Sequence, residues 1–155
     1  MADNEMRLDF LSLSENESFA RSCAAAFCTQ LNPTIEELSD VRTAISEAVT
    51  NAIIHGYENR SGMVHLRCTL EGDLFTATVR DDGVGIRDIE QARQPFFTTR
   101  PELERSGMGF TVMEAFMEEV VIESVPGQGT SVTMKKRIAR RDLSLIHISE
   151  PTRPY

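Results

Sequence analysis

Glu47, Asn51 and His55 stand four residues apart in a stretch of helical periodicity, so they share one helix face. That face lies beside the apolar stripe Leu38, Val41, Ile45, Ala48, Val49 and Ala52, at the edge of a core. A carboxamide placed there offers a carbonyl oxygen to Mg²⁺, an ion that holds phosphates with few protein ligands and several waters. A carboxylate there can take a proton from an attacking hydroxyl. Spacing alone favours a plain solvated helix flank. The loops that follow shift that balance. Asp81 ends a strand pattern, and Gly83 and Gly85 come next at alternate positions. Such glycines let backbone approach a ligand, and an Asp at a strand end can accept a hydrogen bond from an exocyclic amine such as that of adenine. An ordinary Asp-Gly turn writes the same letters.

Ser106-Gly107-Met108-Gly109 precedes a second helical pattern. Backbone N–H groups at a helix start, with the positive end of its dipole, suit phosphate oxygens. Arg100 and Arg105 flank this loop, either as charge-assisted donors to a terminal phosphate or as solvated charge. No GxxxxGK[ST] occurs and no GxGxxG follows the first strand, which excludes the P-loop and dinucleotide fingerprints.

The elements that must position these residues are legible in the periodicity. Residues 7–13 alternate as a short strand. Ser14 with Glu17 has the form of a capping box and opens a first helix, whose expected buried stripe is Phe19, Cys23, Ala26, Phe27 and Leu31. Asn32-Pro33 breaks it, and Thr34 with Glu37 caps the second helix, which runs to about His55 and stops at Gly56. Two alternating strands turn around Glu71-Gly72-Asp73. A short helix is expected near Ile89 and another from Phe110 to Met117. A hairpin around Pro126-Gly127-Gln128-Gly129 closes the fold, with Lys135, Lys136 and Arg137 running out into solvent. This order suggests an α+β, two-layer sandwich with a mixed, largely antiparallel sheet. The irregular stretch from about Pro95 to Met108 has the length of a lid or binding loop.

With 155 residues there is room for one sizeable core. A net charge of −8 argues against a surface that clings to nucleic acid or acidic lipid. No apolar run approaches the ~18 residues of a membrane span, and the acidic start differs from a signal peptide, so a cytoplasmic protein is expected. Cys23, Cys28 and Cys68 lack CxxC spacing and read as small buried thiols. Met108, Met113, Phe116 and Met117 read as core and pocket wall. Residues 1–141 are expected to form the domain. The remainder, 142–155, shares no pattern with it, resembles translated sequencing-adapter read-through, and is set aside as non-native or disordered.

Taken in order, Glu-x-x-x-Asn on a helix, DxGxG, GxG before a helix, and Gly129-Thr130 resemble the four boxes of the GHKL ATPases, whose fold is the Bergerat or histidine-kinase-like ATPase fold. Within that superfamily, residues 46–57 and 94–110 resemble the sporulation anti-sigma F factors of endospore-forming bacteria. The resemblance implies a homodimer that binds ATP or ADP with Mg²⁺. It also implies inhibition of sigma factor F and phosphorylation of a serine on an anti-anti-sigma factor, with no direct nucleic-acid or membrane contact. By matching position, Glu47 is the base, Asn51 the Mg²⁺ ligand, and Asp81 the reader of the adenine amine, supported by Thr130. Gly83, Gly85, Gly107, Met108 and Gly109 shape the nucleotide pocket, and the lid with Thr99, Arg105 and Ser106 closes over phosphate. Glu17 and Arg21, an i,i+4 pair expected to turn away from the Phe19/Cys23 stripe, match the family's partner surface. His55 reads as a helix-end residue complementing the dipole rather than a phosphoacceptor. Alternatives are a general-stress anti-sigma kinase of the same superfamily and a non-catalytic module switched by ATP.

Overall fold

Period-two alternation over Val64, Leu66, Cys68 and Leu70, and over Phe75, Ala77 and Val79, can bury one face of a sheet and leave the other wet. The computed structural model, which describes residues 2–94 and 109–138, builds that sheet from β1 (Asn4–Leu11), β2 (Met63–Glu71), β3 (Leu74–Asp81), β4 (Glu119–Val125) and β5 (Gly129–Arg137). The strand order is β1-β2-β3-β5-β4. Each neighbouring pair is antiparallel, so the expected mixed sheet is corrected to an antiparallel one among the described residues. The inward rows of the sheet join the buried faces of α1 (Ser14–Cys28), α2 (Ile35–Asn51) and α4 (Gly109–Phe116) in one core, and α3 (Ile89–Ala92) is a short turn beside it. The outer face carries charged cross-strand partners, such as Arg67 on Glu5 at 2.7 Å and His65 on Asp9 at 2.7 Å. Two layers result, one helical and one β.

The same alternation does something else at the end of β3. The inward row Phe75, Ala77, Val79 continues to Asp81, which is 5% exposed. Opposite it in register stands Thr130 of β5, 9% exposed, in the inward row that continues to Val132 and Met134. Strand geometry thus places a carboxyl and a hydroxyl under the helical layer, where core residues would otherwise sit.

Helix α2 begins as expected. Thr34 Oγ1 accepts from the Glu37 N–H at 2.9 Å, and Glu37 Oε1 accepts from the Thr34 N–H at 2.8 Å. Its buried residues are Val41, Ala44, Ile45, Ala48 and Val49. The helix does not run regularly to His55. From Ala52 to Gly56 it widens to a π-helical turn, closed by the Tyr57 N–H on the Ala52 carbonyl at 2.9 Å.

Helix α1 differs from expectation at its start and in its orientation. No side chain caps it: Leu13 stands at the cap position, and the entry is fixed by Asn16, whose side chain donates to the Leu11 carbonyl at 2.9 Å. The capping box of Ser14 and Glu17 is therefore absent. The buried row is Ala20, Ala24, Phe27 and Cys28, while Phe19 is 55% exposed and Ala26 is exposed as well. Alanines allow α1 to lie close on α2, itself built with Ala44 and Ala48, whereas a row starting at Phe19 would hold the helices apart. That rotation also brings Arg21 to the α2 side, with Glu17 beside it and both half-buried, instead of turning the pair outward. Three smaller expectations change too. Strand β1 begins at Asn4, Phe116 is 37% exposed, and Lys135 to Arg137 remain in β5, with Arg137 paired to Asp73. The lid, the Gly107-Met108 half of the second glycine loop, and the tail lie outside the described residues.

The capping box should be worth about 1 kcal/mol, because it satisfies two N–H groups at the start of the helix that carries Glu47 and Asn51. Thr34→Ala is expected to lower stability by about 1 kcal/mol, and thermal and urea unfolding measure it. Unchanged stability would show that the cap does not anchor α2.

Candidate nucleotide site

A cavity of about 580 Å³ opens where the end of α2, the π-helical turn, the loop after β3, the start of α4 and β5 meet. Its size is that of an ordinary small-molecule site. Asn51, Asp81, Gly85, Gly109 and Thr130 line it, so four separate sequence motifs come together on one cavity. His55 lines it as well.

At the base of the cavity the Asp81 carboxylate is held by its own turn. Gly83 N–H donates to Asp81 Oδ1 at 2.9 Å. Gly83 has no room for a side chain: an added Cβ would lie 1.9 Å from the Gly56 carbonyl oxygen, which itself accepts the Val84 N–H at 2.9 Å. The turn after β3 is thereby locked onto the turn after α2, and the carboxylate is pinned between them. Burial pushes the Asp81 carboxyl up from 3.8 to about 6, against the Gly83 N–H, which favours the charged form. Between pH 3.8 and about 6 the folded protein holds this proton and the unfolded chain does not. Stability contributed by the neutral acid therefore falls as pH rises through that window, by about 3 kcal/mol. At neutral pH the fold carries a buried, ionised carboxylate. Such a group gains from any N–H donor that enters the cavity.

Thr130 is oriented by Ser124. Ser124 Oγ lies 2.8 Å from Thr130 Oγ1, 3.0 Å from the Gly129 carbonyl oxygen and 2.7 Å from the Ile86 N–H. One assignment satisfies all three: Ser124 donates to Gly129, and accepts from Ile86 and from Thr130. Thr130 Oγ1 is then left with lone pairs, as an acceptor beside Asp81. Sequence reasoning missed this serine. It also read Gly56 simply as a helix stop. Tyr57 is a further unanticipated support, accepting the Asp82 N–H at 2.8 Å and donating to the Met63 carbonyl at 2.6 Å.

At the other end of the cavity, Asn51 faces the start of α4. A Cβ on Gly109 would come within 2.9 Å of Asn51 Nδ2, so any side chain there would push the carboxamide aside. Asn51 Nδ2 is buried without a hydrogen-bond partner. Turning the carboxamide over puts Oδ1 in the same place, an acceptor with an unfilled need. A divalent cation fits that need. The described residues contain no cluster of three or more His, Cys, Asp or Glu able to hold a metal, so an ion at Asn51 would take its remaining ligands from phosphate and water, as Mg²⁺ commonly does.

Glu47 sits one helical turn before Asn51 but borders a different space. It lines a second cleft of about 250 Å³ with Arg21, Ser39, Arg42, Thr43 and Ser46. Glu17 and Arg21 stand on the α1 side of this seam, 3.6 Å apart. The residues assigned to base and partner roles are therefore neighbours of one another, beside the nucleotide cavity. Thr99, Arg105, Ser106, Gly107 and Met108 lie outside the described residues.

Comparison with known proteins agrees with this geometry. The histidine kinase-like ATPase domain family matches residues 10–136. The chain is similar to the anti-sigma F factor of Geobacillus kaustophilus, with 60% identity over 138 residues, covering 88% of this chain and 94% of the relative. It is 56% identical to the anti-sigma F factor of Bacillus subtilis, with the same coverage, and 55% identical to that of Clostridium acetobutylicum, over 90% of this chain and 97% of the relative. A crystal structure of the RsbU and RsbW domains of a Mycobacterium tuberculosis protein shares the fold, with a TM-score of 0.63 at 21% identity, covering 88% of this chain and 32% of that one. An ATPase family matched over residues 10–136 implies that the domain binds ATP or ADP. By family match and by identity across nearly its whole folded length, the chain belongs to the anti-sigma F factors, built on the histidine kinase-like ATPase domain.

Proposed function

We propose that this chain is an anti-sigma factor that inhibits sigma factor F and, as an ATP-dependent protein serine kinase, phosphorylates the anti-anti-sigma factor that opposes it. The observation that carries the nucleotide half is the ionisable carboxylate at the base of the cavity, 5% exposed and fixed by the Gly83 N–H. In this reading Asp81 accepts the exocyclic N–H of adenine, and Thr130 accepts beside it. Gly83, Gly85 and Gly109 keep the walls close to the ligand, and the start of α4 directs N–H groups at phosphate. Asn51 holds Mg²⁺, which would neutralise charge on the phosphates. Glu47 takes the proton of the acceptor serine. Thr99, Arg105, Ser106, Gly107 and Met108 close the site.

The partner half rests on the family and on the place of Glu17 and Arg21. Their cleft adjoins the nucleotide cavity through Glu47 and Asn51 on one helix, so a protein docked there can present a serine to the site. If sigma factor and anti-anti-sigma factor use this surface in turn, they exclude each other. A homodimer, a cytoplasmic location, and a kinase unit of residues 1–141 belong to the same reading. Among the described residues no helix is long and apolar enough to cross a membrane.

A non-catalytic module switched by ATP is the competing reading, and Glu47 separates the two. Glu47→Gln is expected to slow transfer from labelled ATP to the anti-anti-sigma serine by at least ~100-fold, while ADP affinity stays within about threefold. Equal phosphoserine formation by the variant would remove Glu47 from the chemistry. No transfer by the unaltered protein would favour the switch.

Asp81 gives a pH test with a definite sign. A bound amine stabilises the ionised carboxylate, so nucleotide binding releases the proton that burial retains below about 6. Between pH 7.5 and pH 5, ADP affinity should fall by about tenfold more in the unaltered protein than in Asp81→Asn, which cancels titration of the phosphates. Parallel curves in calorimetric titrations would show that Asp81 does not meet the ligand.

A further inference from the structure

Three consecutive N–H groups follow Asp81, and each has a different acceptor. The Asp82 N–H donates to the Tyr57 hydroxyl at 2.8 Å, the Gly83 N–H to Asp81 Oδ1 at 2.9 Å, and the Val84 N–H to the Gly56 carbonyl at 2.9 Å. The last two lock the turn and anchor the carboxylate. The first is the only one that depends on a side chain from another element. That side chain is firmly seated. An added Cβ on Gly62 would run into the Tyr57 ring, so the ring lies directly against this glycine. Gly62 is itself held by Ser12, whose Oγ accepts the Gly62 N–H at 3.0 Å and whose N–H donates to the Gly62 carbonyl at 2.9 Å. The Tyr57 hydroxyl donates its one proton to the Met63 carbonyl at 2.6 Å, which leaves lone pairs for Asp82. Burial pushes the phenol up, so that proton is retained.

We propose that Tyr57 is a specificity-determining positioning residue, whose hydroxyl fixes the direction in which the Asp81 carboxylate meets the base. The proposal rests on the reading of Asp81 as the adenine contact and adds a residue that does not touch the ligand, since neither Tyr57 nor Gly62 lines the cavity. The lever is the peptide between Asp81 and Asp82. Its N–H is held by Tyr57, and its carbonyl oxygen is pressed by Gly129, where an added Cβ would overlap it. A peptide held at both ends fixes ψ of Asp81. It also fixes where the next N–H, that of Gly83, points. Without the hydroxyl, the Asp82 N–H turns to solvent, the plane gains freedom, and the Gly83 N–H no longer holds Oδ1 in one place. Such a loss falls on base recognition more than on binding as a whole. A charge-assisted hydrogen bond weakens steeply with misalignment, whereas the apolar walls Val79, Ile86 and Val132 hold any purine alike. Repulsion between the carboxylate and a carbonyl at the amine position relaxes at the same time. Tyr57 therefore controls how well the site tells an amine from a carbonyl.

The test titrates the full chain, Tyr57→Phe and Gly62→Ala with Mg-ADP and with Mg-IDP in a calorimeter. Phenylalanine keeps the ring and removes the hydroxyl. Gly62→Ala keeps the hydroxyl and drives the ring from its seat, at a residue with no positive φ to strain an alanine. The preference for ADP over IDP is expected to fall roughly fivefold or more in Tyr57→Phe, through weaker ADP binding with IDP within about twofold, and to fall in Gly62→Ala as well. A preserved ratio in Tyr57→Phe would overturn the proposal, whether both nucleotides weaken together, as a purely structural role requires, or neither changes. Should Tyr57→Phe fail to fold, the ratio in Gly62→Ala decides alone. Failure of the underlying reading looks different. If the unaltered protein binds both nucleotides equally, Asp81 does not read the amine and the proposal falls with it, whereas a preference that survives in the variants removes Tyr57 alone.

Discussion

A single carboxylate sets the terms for this molecule. Asp81 occupies the position where β3 would bury its next apolar side chain, and strand geometry allows it no other direction. Left alone it would be a liability, since an ionised group under a helical layer costs several kcal/mol unless donors surround it. The surroundings are built to limit that cost without eliminating it. The Gly83 N–H reaches the carboxylate at 2.9 Å and the Thr130 backbone also favours its charged form, yet burial still holds the acid up at about 6. The remaining attraction for a donor is what a nucleotide base can use.

Much else in the fold follows from keeping this group in place. The turn after β3 must press against the turn after α2, which requires glycine at position 83 and the carbonyl of Gly56 beyond it. The π-helical turn that ends α2 presents that carbonyl. On the other side, Ser124 ties β4, β5 and the Ile86 backbone together and fixes the hydroxyl of Thr130. Asn51 at the far end is set by the same helix, whose start is capped by Thr34 and Glu37. On the proposed reading, nucleotide and acceptor sides are two faces of α2. Asn51 opens into the cavity and Glu47 into the arginine-lined cleft, so one rigid helix can align a phosphate donor with a phosphate acceptor.

What the sequence disclosed depended on how local the cause was. The β2–β3 hairpin and the Thr34 cap are decided by neighbours in the chain, and both were legible from alternation and from the Thr-x-x-Glu spacing. That Asp81, Gly85 and Gly109 border one cavity was legible because glycine and acidic types are unusual in those positions. Helix α1 was not. Its sequence offers two apolar rows, one starting at Phe19 and one at Ala20, and periodicity alone favours the bulkier. Close packing on α2 selects the alanine row, a choice made by the partner helix and invisible in α1 itself. The same rotation moved Glu17 and Arg21 from an outer surface to the seam beside Glu47. Ser14 and Glu17 have the letters of a cap, yet the turn at Asn16 fixes the helix entry without them. The role of Ser124 was hidden for a similar reason, because its three partners come from two other segments, β5 and the loop after β3.

The central claim is that a buried, ionised Asp81 recognises the exocyclic amine of adenine. Calorimetric comparison of Mg-ADP with Mg-IDP, whose base carries a carbonyl in place of that amine, tests it most directly. A charge-assisted hydrogen bond worth 1.5–3 kcal/mol predicts that ADP binds roughly 10- to 150-fold tighter. Equal affinities for the two nucleotides would contradict the account.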